Sequence, residues 1–200
     1  MKKILFTLAL LVSFSSFGQT AQEYLNSGYD KAEAKDDYGA IADYTKAIEL
    51  DPNYSLAYFN RGVSKADLND YKGAIADYTK AIELDPNDAD SYYNIGLSKA
   101  NLNDHYGAIA DYTKAIELDP KYYVAYNNRG NSKGKLKDYY GAISDYTKAI
   151  ELDPNYSNAY SNRGINKENL GDLNGACADW KKAARLGDAD AAKWVANQCN

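Results

Sequence analysis

In the stretch GAIADYTKAIELDPN, residues 39–53, the apolar residues Ala40, Ile41, Tyr44, Ala47 and Ile48 recur at three- and four-residue spacing. That is one apolar stripe on a helix. A second face of the same kind, Tyr58, Gly62, Lys65 and Ala66, runs through residues 55–68. The fifteen letters return unchanged at 73–87, with one substitution each from 107 (Lys121 for Asn) and from 141 (Ser144 for Ala), and worn, as GACADWKKAARLGDA, from 175. The pattern predicts two helices in every 34 residues, and a fixed period of that length points to stacked repeats.

Short polar turns such as Asn69-Asp70 separate the two helices of a period, and Asp-Pro-Asn or Asp-Pro-Lys separates one period from the next. Proline cannot continue a helix and disfavours helix in the residue before it, so Pro52, Pro86, Pro120 and Pro154 each close a unit. The chain is therefore expected to zigzag as antiparallel helices. Gly28, Gly62, Gly96, Gly130 and Gly164 stand at the centre of every first helix, although glycine there costs about 1 kcal/mol relative to alanine. Close helix approach is the expected cause, with Gly62 making room for Ala74 and Ala81.

Tyr58, Gly62, Ala74, Tyr78, Ala81 and Pro86, recurring in register, resemble the tetratricopeptide repeat (TPR), a 34-residue helix–turn–helix unit. Five of these marks survive in the last copy as Tyr160, Gly164, Ala176, Trp180 and Ala183. The family's usual leucine before the glycine is replaced by Ser27, Arg61, Ile95, Arg129 and Arg163, and Asp188 stands where the last proline is expected. The resemblance implies an all-α, right-handed superhelical solenoid. Its units are expected at 21–54, 55–88, 89–122, 123–156 and, degenerate, 157–190. Gly187 is expected to end one helix and Asp188 to start another, a capping helix at 188–198 that covers the last repeat.

Composition adds a compartment. Lys2 and Lys3 precede an uncharged stretch from Ile4 to Phe17, with Ser16 and Gly18 as the small residues of a cleavage site. That is the layout of a signal peptide over 1–18, too short for a spanning helix. The product is expected to be exported, periplasmic or extracellular, with no membrane insertion once the leader is removed. Loss of the two lysines makes the net charge of −5 more negative still, which argues against nucleic acid as a partner.

The chain offers little for catalysis. Its single histidine, His105, takes the place of Tyr71 and Tyr139 at a turn and reads as a surface or packing residue. There is no phosphate loop, metal-ligand cluster or nucleophile motif, so neither an enzyme nor a cofactor or metal is expected. Carboxylates such as Asp77, Glu83 and Asp85 recur from unit to unit and read as solvated faces and helix-end contacts. Tyr44, Tyr78, Tyr112 and Tyr146 lie on the apolar stripe and read as core rather than as a stacking platform. Cys177 takes the slot of Ile41, Ile75, Ile109 and Ile143, which suits a small buried thiol. It also lies as far before Asp188 as Cys199 lies after it, so the two should sit level across a helical turn and, in an oxidising compartment, form a disulfide.

Binding remains. The second helices are nearly identical, whereas the first helices vary, and in the TPR family the first helices line the concave wall. The resemblance therefore implies a partner-binding groove at Leu25, Tyr29, Phe59, Val63, Tyr93, Leu97, Asn127, Asn131 and Lys135, with Ser161, Ile165, Asp67 and Asn101 on the same face. Its character changes from aromatic and aliphatic to amide and lysine along the chain. The alternative is that several of these side chains pack between adjacent first helices. The expected function is a non-enzymatic interaction module that binds a protein or peptide segment. A structural spacer or self-associating rod is the second reading.

Overall fold

A computed structural model describes residues 19–199; the expected leader, residues 1–18, lies outside the described residues. The chain forms a solenoid of helix pairs with no strand among the described residues. The helices are α1 (Ala21–Glu33), α2 (Asp37–Leu50), α3 (Ser55–Asp67), α4 (Tyr71–Leu84), α5 (Ala89–Asn101), α6 (His105–Leu118), α7 (Tyr123–Lys135), α8 (Tyr139–Leu152), α9 (Ser157–Asn169), α10 (Leu173–Arg185) and α11 (Ala189–Gln198). Each helix packs on the next, and α1, α3, α5, α7 and α9 also touch in succession. The first helices thus share one wall.

Each pair turns on three residues. After α3, Asn69 adopts φ 63°, its N–H bonds to Ala66 O at 2.8 Å and the Asp70 N–H reaches Lys65 O at 2.8 Å. This left-handed closure satisfies carbonyls that the helix end would leave unpaired. Asp70 then caps α4, its carboxylate accepting from the Gly73 N–H at 3.0 Å. A Cβ on Gly73 would collide with that carboxylate. The opening glycine of the repeated phrase is therefore kept by the cap, and the same Asp-to-Gly bond recurs at the start of α2, α6, α8 and α10.

The central glycine of each first helix has a different neighbour from the one expected. A Cβ on Gly62 would lie 2.7 Å from Cε1 of Tyr78; the ring, and not Ala74 or Ala81, fills the space. Tyr44, Tyr112, Tyr146 and Trp180 approach Gly28, Gly96, Gly130 and Gly164 in the same way. These rings are almost wholly buried, and burial pushes the Tyr44 hydroxyl up to about 12. An aromatic ring seated on a glycine backbone thus recurs inside each pair.

The expectation that the repeated carboxylates face solvent fails at Asp77, which is 4% exposed. Arg61 donates to it through Nε at 2.9 Å and Nη2 at 2.7 Å, and Lys65 completes the site at 2.7 Å. Arg61 Nη1 also donates to Thr45 Oγ1 of the preceding unit at 3.1 Å. Arg129 with Asp145 and Thr113, and Arg163 with Asp179 and Thr147, repeat the arrangement. The arginine that replaces the family's leucine is therefore a stitch between units. The expectation holds for Glu83 and Asp85, which are exposed.

The last unit is closed by α11. Asp188 caps it by accepting from the Asp190 and Ala191 N–H groups at 2.9 Å, and also accepts a short bond from the Ser161 hydroxyl. Trp194 rests on Trp180 with ring centroids 5.4 Å apart. Cys177 and Cys199 are joined by a disulfide, their Cα atoms 5.5 Å apart.

Candidate functional site

The shared wall of first helices carries three concavities. One of 300 Å³ includes Asp67, Asn94, Leu97 and Asn101 in its lining. The next, 200 Å³, shares Leu97 and Asn101 with the first and adds His105, Asn128, Asn131 and Lys135. The third, 480 Å³, shares Asn131 and Lys135 with the second and adds Asn162, Ile165 and Asn166. Residues common to neighbouring concavities join them into one trough along α5, α7 and α9.

Of the expected groove residues, Leu97, Asn131 and Lys135 line the trough. Leu25 does not: it is 5% exposed and packs with Ala40, Tyr44, Ala47 and Ala57. Asn127 is also buried, its Oδ1 accepting from Asn162 Nδ2 of the next unit at 3.2 Å. Neither is available to a partner, and both are corrected to seam residues.

Tyr93 is half-buried between the rings of Tyr112 and Tyr122, with centroids at 5.8 and 5.0 Å. Its hydroxyl accepts from Asn128 Nδ2 at 2.8 Å, and burial pushes it up to about 12. Phe59 rests on Tyr78 and lines a separate 290 Å³ hollow with Asp85 and Asp88. Val63 packs beside the Ala74, Tyr78 and Ile95 cluster, and Tyr29 is exposed on α1.

Only the expected groove residues in register with Leu25 miss the trough, by about one helical position, roughly 100°. Residues in register with Leu25, such as Phe59, Tyr93, Asn127 and Ser161, face the seam between units. The next register faces the trough instead, and there the sequence holds Asn26, Asn60, Asn94, Asn128 and Asn162. One of these asparagines lines each concavity: Asn94, Asn128 and Asn162 in turn. Their recurrence every 34 residues was visible in the sequence.

His105 opens α6, half-buried at the edge of the middle concavity, with Nδ1 unpartnered. Among the described residues, no group of three His, Cys, Asp or Glu side chains is placed to hold a metal ion. No helix among them is long and apolar enough to cross a membrane.

A five-unit helical solenoid with a trough along its first helices defines a class of repeat protein, and the comparisons place the chain within it. Residues 35–68 and 64–103 match a family described as TPR repeat. Residues 89–122 and 123–156 match one described as Tetratricopeptide repeat, and 145–178 match a further family of that description. The chain belongs to the tetratricopeptide repeat proteins.

A crystal structure of MamA is 28% identical to it at a TM-score of 0.76, over 82% of this chain and 96% of that one. A structure titled "MamA 41-end from Desulfovibrio magneticus RS-1" is 20% identical at a TM-score of 0.79, over 84% and 96%. YrrB, titled "a TPR protein with an unusual peptide-binding site", is 24% identical at a TM-score of 0.74, over 88% and 92%. No curated protein matches the chain by sequence.

Proposed function

We propose that the protein is an exported, non-enzymatic interaction module that holds an extended segment of a protein partner along the trough of α5, α7 and α9. The observation that carries this reading is the continuity of the trough. Leu97 and Asn101 join its first concavity to the second, and Asn131 and Lys135 join the second to the third, so the surface suits a linear ligand rather than a compact one. Asparagine amides along its length can donate to and accept from a peptide main chain, while Leu97 and Ile165 offer apolar contact. The fold likeness to YrrB agrees with this reading, given the peptide-binding site named in its title.

Affinity capture with matched surface variants tests it. Leu97→Asp in the trough should abolish retention of a partner from envelope extract, while Tyr106→Asp, at an exposed site on α6, should leave it unchanged. Equal retention by both variants would remove the trough. Export is tested by intact mass of the released protein, which should begin at Gln19.

A further inference from the structure

Charge along the first helices falls into two registers with different fates. Lys31, Lys65, Lys99, Lys133 and Lys167 recur in every unit, and each is held by an aspartate of the second helix: Asp43, Asp77, Asp111, Asp145 and Asp179. Those charges belong to the packing of the pair. Two residues further on, the same helices hold Glu33, Asp67, Asn101, Lys135 and Asn169, all exposed. Glu33, Asp67 and Lys135 have no hydrogen-bonded or ion-paired partner among the described residues. Asn101 turns back on its own helix, its Nδ2 donating to Leu97 O at 3.0 Å. The scaffold thus uses the charge that repeats and leaves free the charge that changes sign along the chain.

Asp67 lines the first concavity of the trough and Lys135 the second and third, and no other aspartate, glutamate, lysine or arginine lines any of the three. The rest of the lining is apolar, hydroxyl or amide, with the imidazole of His105 sharing the middle concavity with Lys135. Asp30 and Glu33, exposed on α1, add to the acidic end, whereas Glu168, exposed on α9, lines none of the concavities. Asp67 and Lys135 stand two first helices apart with Asn101 between them. At interaxial distances of about 8–10 Å that is about 16–20 Å, the length of about five or six residues of extended chain.

We propose that the trough is electrically polarised and selects an extended segment with one basic and one acidic side chain about six residues apart, its basic residue against Asp67 on α3 and its acidic residue against Lys135 on α7. A segment with like charges at both positions satisfies one of these groups and repels the other. The reversed lay sets lysine against lysine and carboxylate against carboxylate, so charge fixes which way the segment lies as well as which segment is chosen. Each exposed pair is worth up to about fivefold in affinity. Salt weakens the preference, because charges are screened beyond about 3 Å at 1 M. The polarity rests on the trough reading above and names the chemistry of the partner.

The test is a titration of ¹⁵N-labelled protein, followed by NMR, with blocked alanine–glutamine peptides whose second and eighth residues are lysine and glutamate, both lysine, both glutamate or both glutamine. The lysine–glutamate peptide should bind at least about threefold more tightly than the other three at low salt, and the difference should fade at about 1 M salt. A nitroxide beside its lysine should broaden the amides of Val63 and Asp67 and spare those of Ile165 and Asn169. The exchange Asp67→Lys/Lys135→Asp alters only two exposed side chains, so it should fold, and the broadening should move from Val63 to Ile165. Shifts along the wall with equal affinity for the four peptides, tightest binding of a like-charged one, or broadening that stays at Val63 after the exchange would overturn the polarity while leaving the trough reading in place. No shift anywhere along the wall would remove both.

Discussion

Arg61 holds Asp77 with two parallel bonds, Nε to Oδ2 at 2.9 Å and Nη2 to Oδ1 at 2.7 Å. In the third unit Ile95 takes the arginine's place, so Asp111 keeps only Lys99, at 2.7 Å. One stitch of the solenoid is therefore missing. Removing the partner of a buried charge is far more costly than removing a pair that was never complete. Asp77→Asn should destabilise the protein by about 3 kcal/mol and Asp111→Asn by less than about 1 kcal/mol, as read from urea unfolding.

Asp43 and Asp111, neither of which has an arginine partner, respond to pH in opposite directions. At Asp43, burial alone would raise the carboxyl, but hydrogen bonds from Lys31 and Ser27 outweigh it and hold it below its ordinary 3.8. At Asp111, burial pushes the carboxyl above 3.8, against the pull of Lys99. Asp43 thus contributes stability that is present above its unfolded value and lost as pH falls through its folded one. Asp111 has the reverse sign: its contribution is present below the unfolded value and lost as pH rises through the folded one. Carboxyl NMR should find the two groups titrating on opposite sides of 3.8. Ile95→Arg should bring Asp111 down.

Alanine is the better helix former by about 1 kcal/mol, yet Gly62→Ala should destabilise. Its Cβ would meet the Tyr78 ring at 2.7 Å, and overpacking of this kind costs about 1–3 kcal/mol. Thermal unfolding gives the sign. Lys137→Gly should do the opposite, because Lys137 sits at φ 65°, where glycine is relieved of about 1 kcal/mol of strain.

The cap depends on a cross-link spanning 22 residues. Closing a loop of that size in the unfolded chain is worth about 3 kcal/mol. Cys199→Ser should therefore release α11 before the rest of the solenoid. Hydrogen exchange should show lost protection at Ala191 to Gln198, and the packing of Trp194 on Trp180 should register in near-ultraviolet dichroism.

Much of this was legible because repetition averages out accident. The stripe of Ala40, Tyr44 and Ala47, the turns, the stacking of helix pairs and the level placement of Cys177 and Cys199 all follow from spacing. Burial around the first helices was harder to read. Leu25 and Asn127 lie one register from the trough, and spacing alone does not tell which flank of a helix its neighbour will cover. The buried role of Asp77 was hidden because a repeated carboxylate looks the same in sequence whether it meets water or a guanidinium. The asparagine register from Asn26 to Asn162 is the opposite case: it is present as a pattern in the sequence, but a residue shared by every unit does not stand out against the scaffold that repeats with it.

A partner held along the wall of α5, α7 and α9, as proposed, lies within reach of photocross-linkers introduced by single benzoyl-phenylalanine replacements. Cross-linkers at Leu97 and Asn162 should capture the same partner, and one at Tyr106, on α6, should capture none. Cross-linking from Tyr106 alone, or capture of unrelated proteins from Leu97 and Asn162, would rule out a partner along this wall.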